Sequence, residues 1–111
     1  MLKLYNDGSR MTAALYGDID HHSARVIRQE LDEAIAHSQP GLLIIDMENV
    51  GFMDSSGIGL ILGRMRAVRA YGGDMVIKNA AAATAAVIKL SGLSGLLVEG
   101  EKVEKNEARN T

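Results

Sequence analysis

The chain has 111 residues, the length of one domain that can bury a core of its own. It is 47% hydrophobic and 23% charged, with a net charge of −2 and no cysteine, so it offers no basic stripe for nucleic acid and excludes disulfide and thiolate chemistry. With one Phe, three Tyr and no Trp the core must be aliphatic, which favours helices packed on a sheet over two stacked sheets.

The first elements are strands. Leu2–Asn6 alternates weakly, Asp7-Gly8 supplies a turn, and Met11–Tyr16 returns antiparallel. Gly17 and Asp18 end the second strand. A helix opens in Asp20-His21-His22-Ser23, with Asp20 or Ser23 as its cap. Ile27, Leu31, Ala34 and Ile35 give it one apolar stripe. Arg28 and Asp32 stand one turn apart and are expected to pair, for about 0.2–0.5 kcal/mol. Pro40 stops the helix near Ser38.

In the strand Leu42–Asp46, Leu42–Ile45 is a continuous apolar run, and it reads as a central strand covered on both faces. The next helix takes Ile58 to about Tyr71, with Ile58, Ile61, Leu62, Met65 and Val68 turned to the core and Gly72-Gly73 as its terminator. Asp74–Lys78 is another strand. Ala80–Leu90 is a third helix with Ala83, Val87 and Leu90 on one face, and Leu93–Val98 a last edge strand. Residues 99–111 are almost wholly polar, so the expected domain is 1–98 followed by a frayed tail. The order β-β-α-β-α-β-α-β defines an α/β protein with a mixed sheet and helices on one or both faces. The start has no signal-peptide core and no run is long enough to span a bilayer, so a cytoplasmic protein is expected.

The chemistry concentrates in Asp54-Ser55-Ser56-Gly57, ahead of the second helix. Two hydroxyls there meet a positive helix end whose first N–H groups lack intrahelical acceptors. Ser56 as an N-cap is the plain reading, and a phosphorylatable hydroxyl the sharper one. Neither serine has glycines two residues to each side, so the nucleophile elbow is absent. Gly57, Gly59 and Gly63 miss the dinucleotide spacing because Leu62 holds the sixth place, and no P-loop lysine follows. Gly59 and Gly63 instead share a helix face and permit close approach of the sheet or of a partner. His21 and His22 beside Asp18 and Asp20 form a solvated helix start, since adjacent histidines do not converge on a metal. No cofactor is indicated.

Two segments carry a family resemblance. Gly17-Asp18-Ile19-Asp20-His21-His22-Ser23-Ala24, followed by Phe52-Met53-Asp54-Ser55-Ser56-Gly57-Ile58-Gly59-Leu60-Ile61-Leu62-Gly63-Arg64, resembles the STAS-domain anti-sigma-factor antagonists. Gly72-Gly73-Asp74-Met75-Val76 and Ser91-Gly92-Leu93 fit the same pattern, and the likeness covers roughly residues 1–98. It implies a four-to-five-stranded mixed sheet packed with helices and a non-enzymatic switch. The partner it implies is an anti-sigma factor with serine kinase activity. That kinase would modify Ser55, and a PP2C-type phosphatase would reverse it. The resemblance puts the docking surface on Asp54, Ser56, Gly57, Gly59 and Arg64, with Asp20, His21 and His22 beside them. It leaves Ser56 as the cap. Another reading is a STAS scaffold or regulatory module of a different signalling assembly.

Overall fold

The computed structural model describes residues 1–98; the expected frayed tail, residues 99–111, lies outside them. Strands β1 (Leu2–Asn6) and β2 (Arg10–Tyr16) form the antiparallel hairpin. Its turn closes where Asp7 N–H donates to Arg10 C=O at 3.0 Å and Arg10 N–H returns to Asp7 Oδ1 at 3.1 Å. Helix α1 (His21–Ser38), strand β3 (Leu42–Asn49), helix α2 (Ser55–Ala70), strand β4 (Asp74–Lys78), helix α3 (Ala82–Leu90) and strand β5 (Leu97–Val98) follow. The last apolar segment is thus a 3₁₀ turn, Ser94–Leu96, and only two residues of strand.

The strands lie in the order β1-β2-β3-β4-β5, and every pair after the first is parallel. Each crossover steps the same way across the sheet. Right-handed connections therefore place all three helices on one face. Met11, Leu43 and Met75 form one inward row, and Ala13, Ile45 and Ile77 the next. These rows join Ile27, Leu31, Ile61, Val68 and Ile88 from the helices in one core.

The expectation that Leu42–Asp46 is covered on both faces is corrected. Leu43, Ile45 and Met47 are buried, whereas Leu42, Ile44 and Asp46 point the other way and are half-exposed. Among the described residues no helix covers that second face. The helix faces also shift. In α3 the buried residues are Thr84 and Ile88, while Leu90 is 89% exposed. The helix starts two residues later than its composition suggested, and Ala-rich sequence carries too little contrast to mark its face. In α2 the buried set is Gly57, Leu60, Ile61, Arg64 and Val68, with Ile58, Leu62 and Met65 only partly covered.

Both long helices end as their sequences require. Gln39 takes a left-handed conformation (φ 45°) just before Pro40 and donates its N–H to Ile35 C=O. After α2, Gly72 has φ 86°; its N–H reaches Arg69 C=O and that of Gly73 reaches Val68 C=O, both at 3.0 Å. This is a Schellman closure, in which glycine takes the left-handed position without steric cost.

Candidate functional site: two loops tied at the head of helix α2

The parallel strands β2 and β3 end side by side, so the loops that follow them meet. Ile19 pairs with Met53 in an isolated parallel bridge. Ile19 N–H donates to Phe52 C=O at 2.8 Å, and Asp54 N–H donates to Ile19 C=O at 3.0 Å. Ile19 and Met53 are both buried beneath this join. The ladder fixes the heads of α1 and α2 next to one another, although Ile19 and Met53 are far apart in the chain.

Each head has an aspartate cap. Asp20 Oδ1 accepts from Ser23 N–H at 2.9 Å, and Ser23 Oγ accepts from Asp20 N–H at 3.0 Å, a reciprocal capping box. Ser23 Oγ also donates to Asp18 C=O at 2.9 Å. Asp54 caps α2, accepting from Ser56 N–H at 2.8 Å. The expectation of Ser56 as cap is therefore corrected, together with a helix start at Ile58. Asp54 is extended (φ −93°, ψ −172°), and its carboxylate reaches the N–H two residues on, which brings both serines into the first turn. Ser55 is the first helical residue and is exposed; Ser56 is half-buried.

The Asp20 carboxyl is held below its ordinary range, first by the Ser23 N–H bond and then by the Ser23 hydroxyl and the His22 contacts. A depressed folded pKa gives stability that is present above the unfolded value, about 4, and is lost as pH falls through the folded value. In urea titrations between pH 7 and pH 2, Asp20→Asn should flatten that part of the acid-induced loss. An unchanged slope below pH 4 would show that the cap does not contribute to it.

The residues expected in the site divide into two layers. Asp20, His21, His22, Ser55 and Gly59 are exposed at the surface, with Asp54 and Ser56 half-covered beside them. His21, Arg25, Arg28, Ser56, Gly59 and Leu60 line a cleft of about 520 Å³ between α1 and α2. Gly57 and Arg64 lie underneath. Gly57 is buried, and a Cβ there would overlap Met53 Cγ and Sδ. Gly59 and Gly63 have open space where a Cβ would stand, so the smooth face does not serve packing against the sheet.

Arg64 is 7% exposed, so most of its side chain lies beneath the surface on which its place in the motif put it. Its Nε lies 2.9 Å from Asp32 Oδ1 on α1. That ion pair replaces the expected Arg28–Asp32 pair. The close packing of α1 on α2 brings a buried guanidinium to Asp32, and a desolvated cation competes better for a carboxylate than a solvated neighbour does.

One residue of this surface went unmarked by sequence reasoning. Phe52, the only Phe in the chain, is 57% exposed in the loop before Asp54. Its neighbours in sequence are apolar or small, so periodicity does not separate it from a core residue. Only its rarity in the composition hinted at a special place.

Among the described residues there is no group of three or more His, Asp or Glu that would hold a metal. No described helix is long and apolar enough to cross a membrane. A five-stranded mixed sheet with three helices on one face is the architecture of a STAS domain. The STAS-domain family model matches residues 4–109, and the chain belongs to that family.

Two curated relatives narrow the comparison to anti-sigma-factor antagonists. The chain is 37% identical over 79 residues to the anti-sigma F factor antagonist of Paenibacillus polymyxa, covering 71% of this chain and 68% of that one. It is 36% identical over 85 residues to that of Lysinibacillus sphaericus, covering 77% and 73%. Among solved structures, unphosphorylated SpoIIAA, an anti-sigma factor antagonist, superposes with a TM-score of 0.83 at 30% identity, over 100% of this chain and 98% of that one. The phosphorylated form of SpoIIAA, a Bacillus cell fate determinant, gives 0.73 at 31% identity over 95% and 98%. These relatives are regulators and not enzymes, in line with the non-enzymatic reading.

Proposed function

We propose that this protein is a partner-switching anti-sigma-factor antagonist of the cytoplasm. Unmodified, it binds an anti-sigma factor that is also a serine kinase and so frees a sigma factor. Phosphorylation of Ser55 turns it off, and a PP2C-type phosphatase restores it. The observation that carries this reading is the exposed Ser55 at the first position of α2, in a chain about 30% identical to a protein solved with and without phosphate. Asp20, His21, His22, Asp54, Ser56 and Gly59 supply the docking surface. Gly57 shapes it from below, and Arg64 supports it through α1.

The physics of the site agrees. A phosphate adds about −1.5 to −2 charges, which helix N–H groups at an N-terminus tolerate. Across an interface the same charge and bulk disrupt. The switch is thus local and needs no refolding. Incubation with the anti-sigma kinase of the same organism and ATP should label the wild type and leave Ser55→Ala unlabelled. Label retained in Ser55→Ala would move the modification elsewhere, with Ser56 the first candidate. In the phosphorylated wild type, backbone chemical shifts should change within residues 50–65 and hold elsewhere; widespread changes would refute the local mechanism.

A further inference from the structure

Below the serine-lined cleft, the groove between α1 and α2 continues as a second concavity of about 580 Å³, walled by Arg25, Arg28, Gln29, Asp32, Glu33 and Arg64. Eight residues of helix separate Ser56 from Arg64, so its centre lies roughly 12 Å along α2 from the serines. Three arginines face two carboxylates there, leaving a surplus of positive charge.

Arg64 is the unusual member. Its side chain is 9% exposed, yet its hydrogen bonding is incomplete. Nε is close to Asp32 Oδ1 but not aligned as a hydrogen-bond donor to it, and Nη1 has no partner among the described residues. A buried donor left without an acceptor costs about 1–3 kcal/mol, and more when charged. Asp32 is half-exposed and compensates only in part. Arg28 adds like charge: burial lowers the Arg64 pKa, Asp32 opposes this, and Arg28 lowers it further. Two guanidinium groups near one another, one of them with an idle buried donor, need a shared counter-ion.

We propose that Arg28 and Arg64, with Arg25 at the rim, form an oxyanion-binding site in the α1–α2 groove. Its ligand has two or more oxygens on one centre, as in a phosphate-class anion or a carboxylate, because guanidinium forks match that geometry. The anion takes the free Arg64 donor and bridges to Arg28, which clamps α1 to α2 beneath the serine surface. Its source is either a free phosphate-class ion or an acidic side chain of the anti-sigma partner. Only the second source rests on the function proposed above.

The site itself is tested without a partner. In ¹⁵N-labelled protein, the Arg64 Nε–Hε signal is followed as sodium phosphate replaces sodium chloride at constant ionic strength. A saturating shift is expected, weakened about tenfold in Arg28→Gln, the loss of one charge-assisted contact. Arg69, paired with Asp74 on the exposed surface at 3.2 Å, is the control and should not saturate. No saturation at Arg64, or saturation indifferent to Arg28→Gln, overturns the proposal. Arg28 is exposed, so its replacement should fold. For the source, wild type and Arg28→Gln are compared for affinity to the anti-sigma factor in phosphate-free buffer. A loss of similar size assigns the anion to a partner carboxylate. Equal affinities, with the phosphate saturation intact, assign it to a free ion. A wild type that binds no anti-sigma factor would refute the proposed function and leave the arginine titration standing.

Discussion

Gly57→Ala should destabilise the protein by about 1–2 kcal/mol, whereas Gly59→Ala should stabilise it by up to about 1 kcal/mol. The substitution is the same and the positions are two apart in one helix. Helix propensity favours alanine at both by about 0.8–1.0 kcal/mol. At Gly57 the new methyl would overlap Cγ and Sδ of Met53. Those atoms belong to the inner part of a side chain that is 4% exposed and bridged to Ile19, so they have little room to yield. Overpacking of this kind costs about 1–3 kcal/mol and exceeds the propensity gain. At Gly59 nothing lies within 4 Å of the new methyl, and the gain stands alone. Urea midpoints of the two variants, read at a common m-value, decide the matter. Equal shifts of the same sign would refute the packing assigned to Gly57. Gly59→Ala has a second consequence. It narrows the cleft lined by Ser56 and Leu60, so a gain in stability should accompany weaker partner binding.

Phe52→Ala is expected to weaken binding to the anti-sigma factor by about 2 kcal/mol, roughly thirtyfold, with stability held within about 0.5 kcal/mol. A large aromatic side chain left 57% exposed contributes little to folding. Placed on the loop that leads through Asp54 into Ser55, it offers apolar area beside exposed polar groups. Truncated aromatic anchors of that kind give the largest losses in protein interfaces. The backbone carbonyl of Phe52 holds Ile19, and the substitution leaves that bond in place. Tyr71, at the far end of α2 roughly 24 Å away, is the matched control, since it is also exposed. Calorimetric titration of both variants should separate them. Unchanged affinity in Phe52→Ala would remove the loop tip from the interface, and a loss in Tyr71→Ala would extend the interface along the helix.

The division of labour in α2 explains why its motif was only half legible. Gly57, Gly59 and Arg64 stand in one short run of the sequence, yet they do three different things. Gly57 yields space to Met53, Gly59 faces solvent, and Arg64 sits beneath α1 against Asp32. A charged residue in a helix is read as exposed because burying it is costly, and nothing local announces the carboxylate that comes from a different helix to meet it. The same reasoning applied to Asp32 assigned it to Arg28, its neighbour one turn away, because the i, i+4 rule knows only its own helix.

What the sequence by itself determined is local and periodic. The order of strands and helices, the hairpin after Asn6, the Asp20–Ser23 head of α1 and the glycine terminator of α2 follow from φ preferences, capping chemistry and the spacing of apolar residues, which act over a few residues. The serine pair at a positive helix end was legible on the same grounds. Tertiary structure alone decided which of the two loops' residues meet, because the Ile19–Met53 bridge depends on β2 and β3 ending side by side. It decided that one face of β3 is left half-exposed, that Leu90 points outward and that Asp32 meets Arg64. The physical reason is common to these cases. Burial and charge pairing are set by distance in space, and residues far apart in the chain compete for the same partners only after the sheet has brought the helices together.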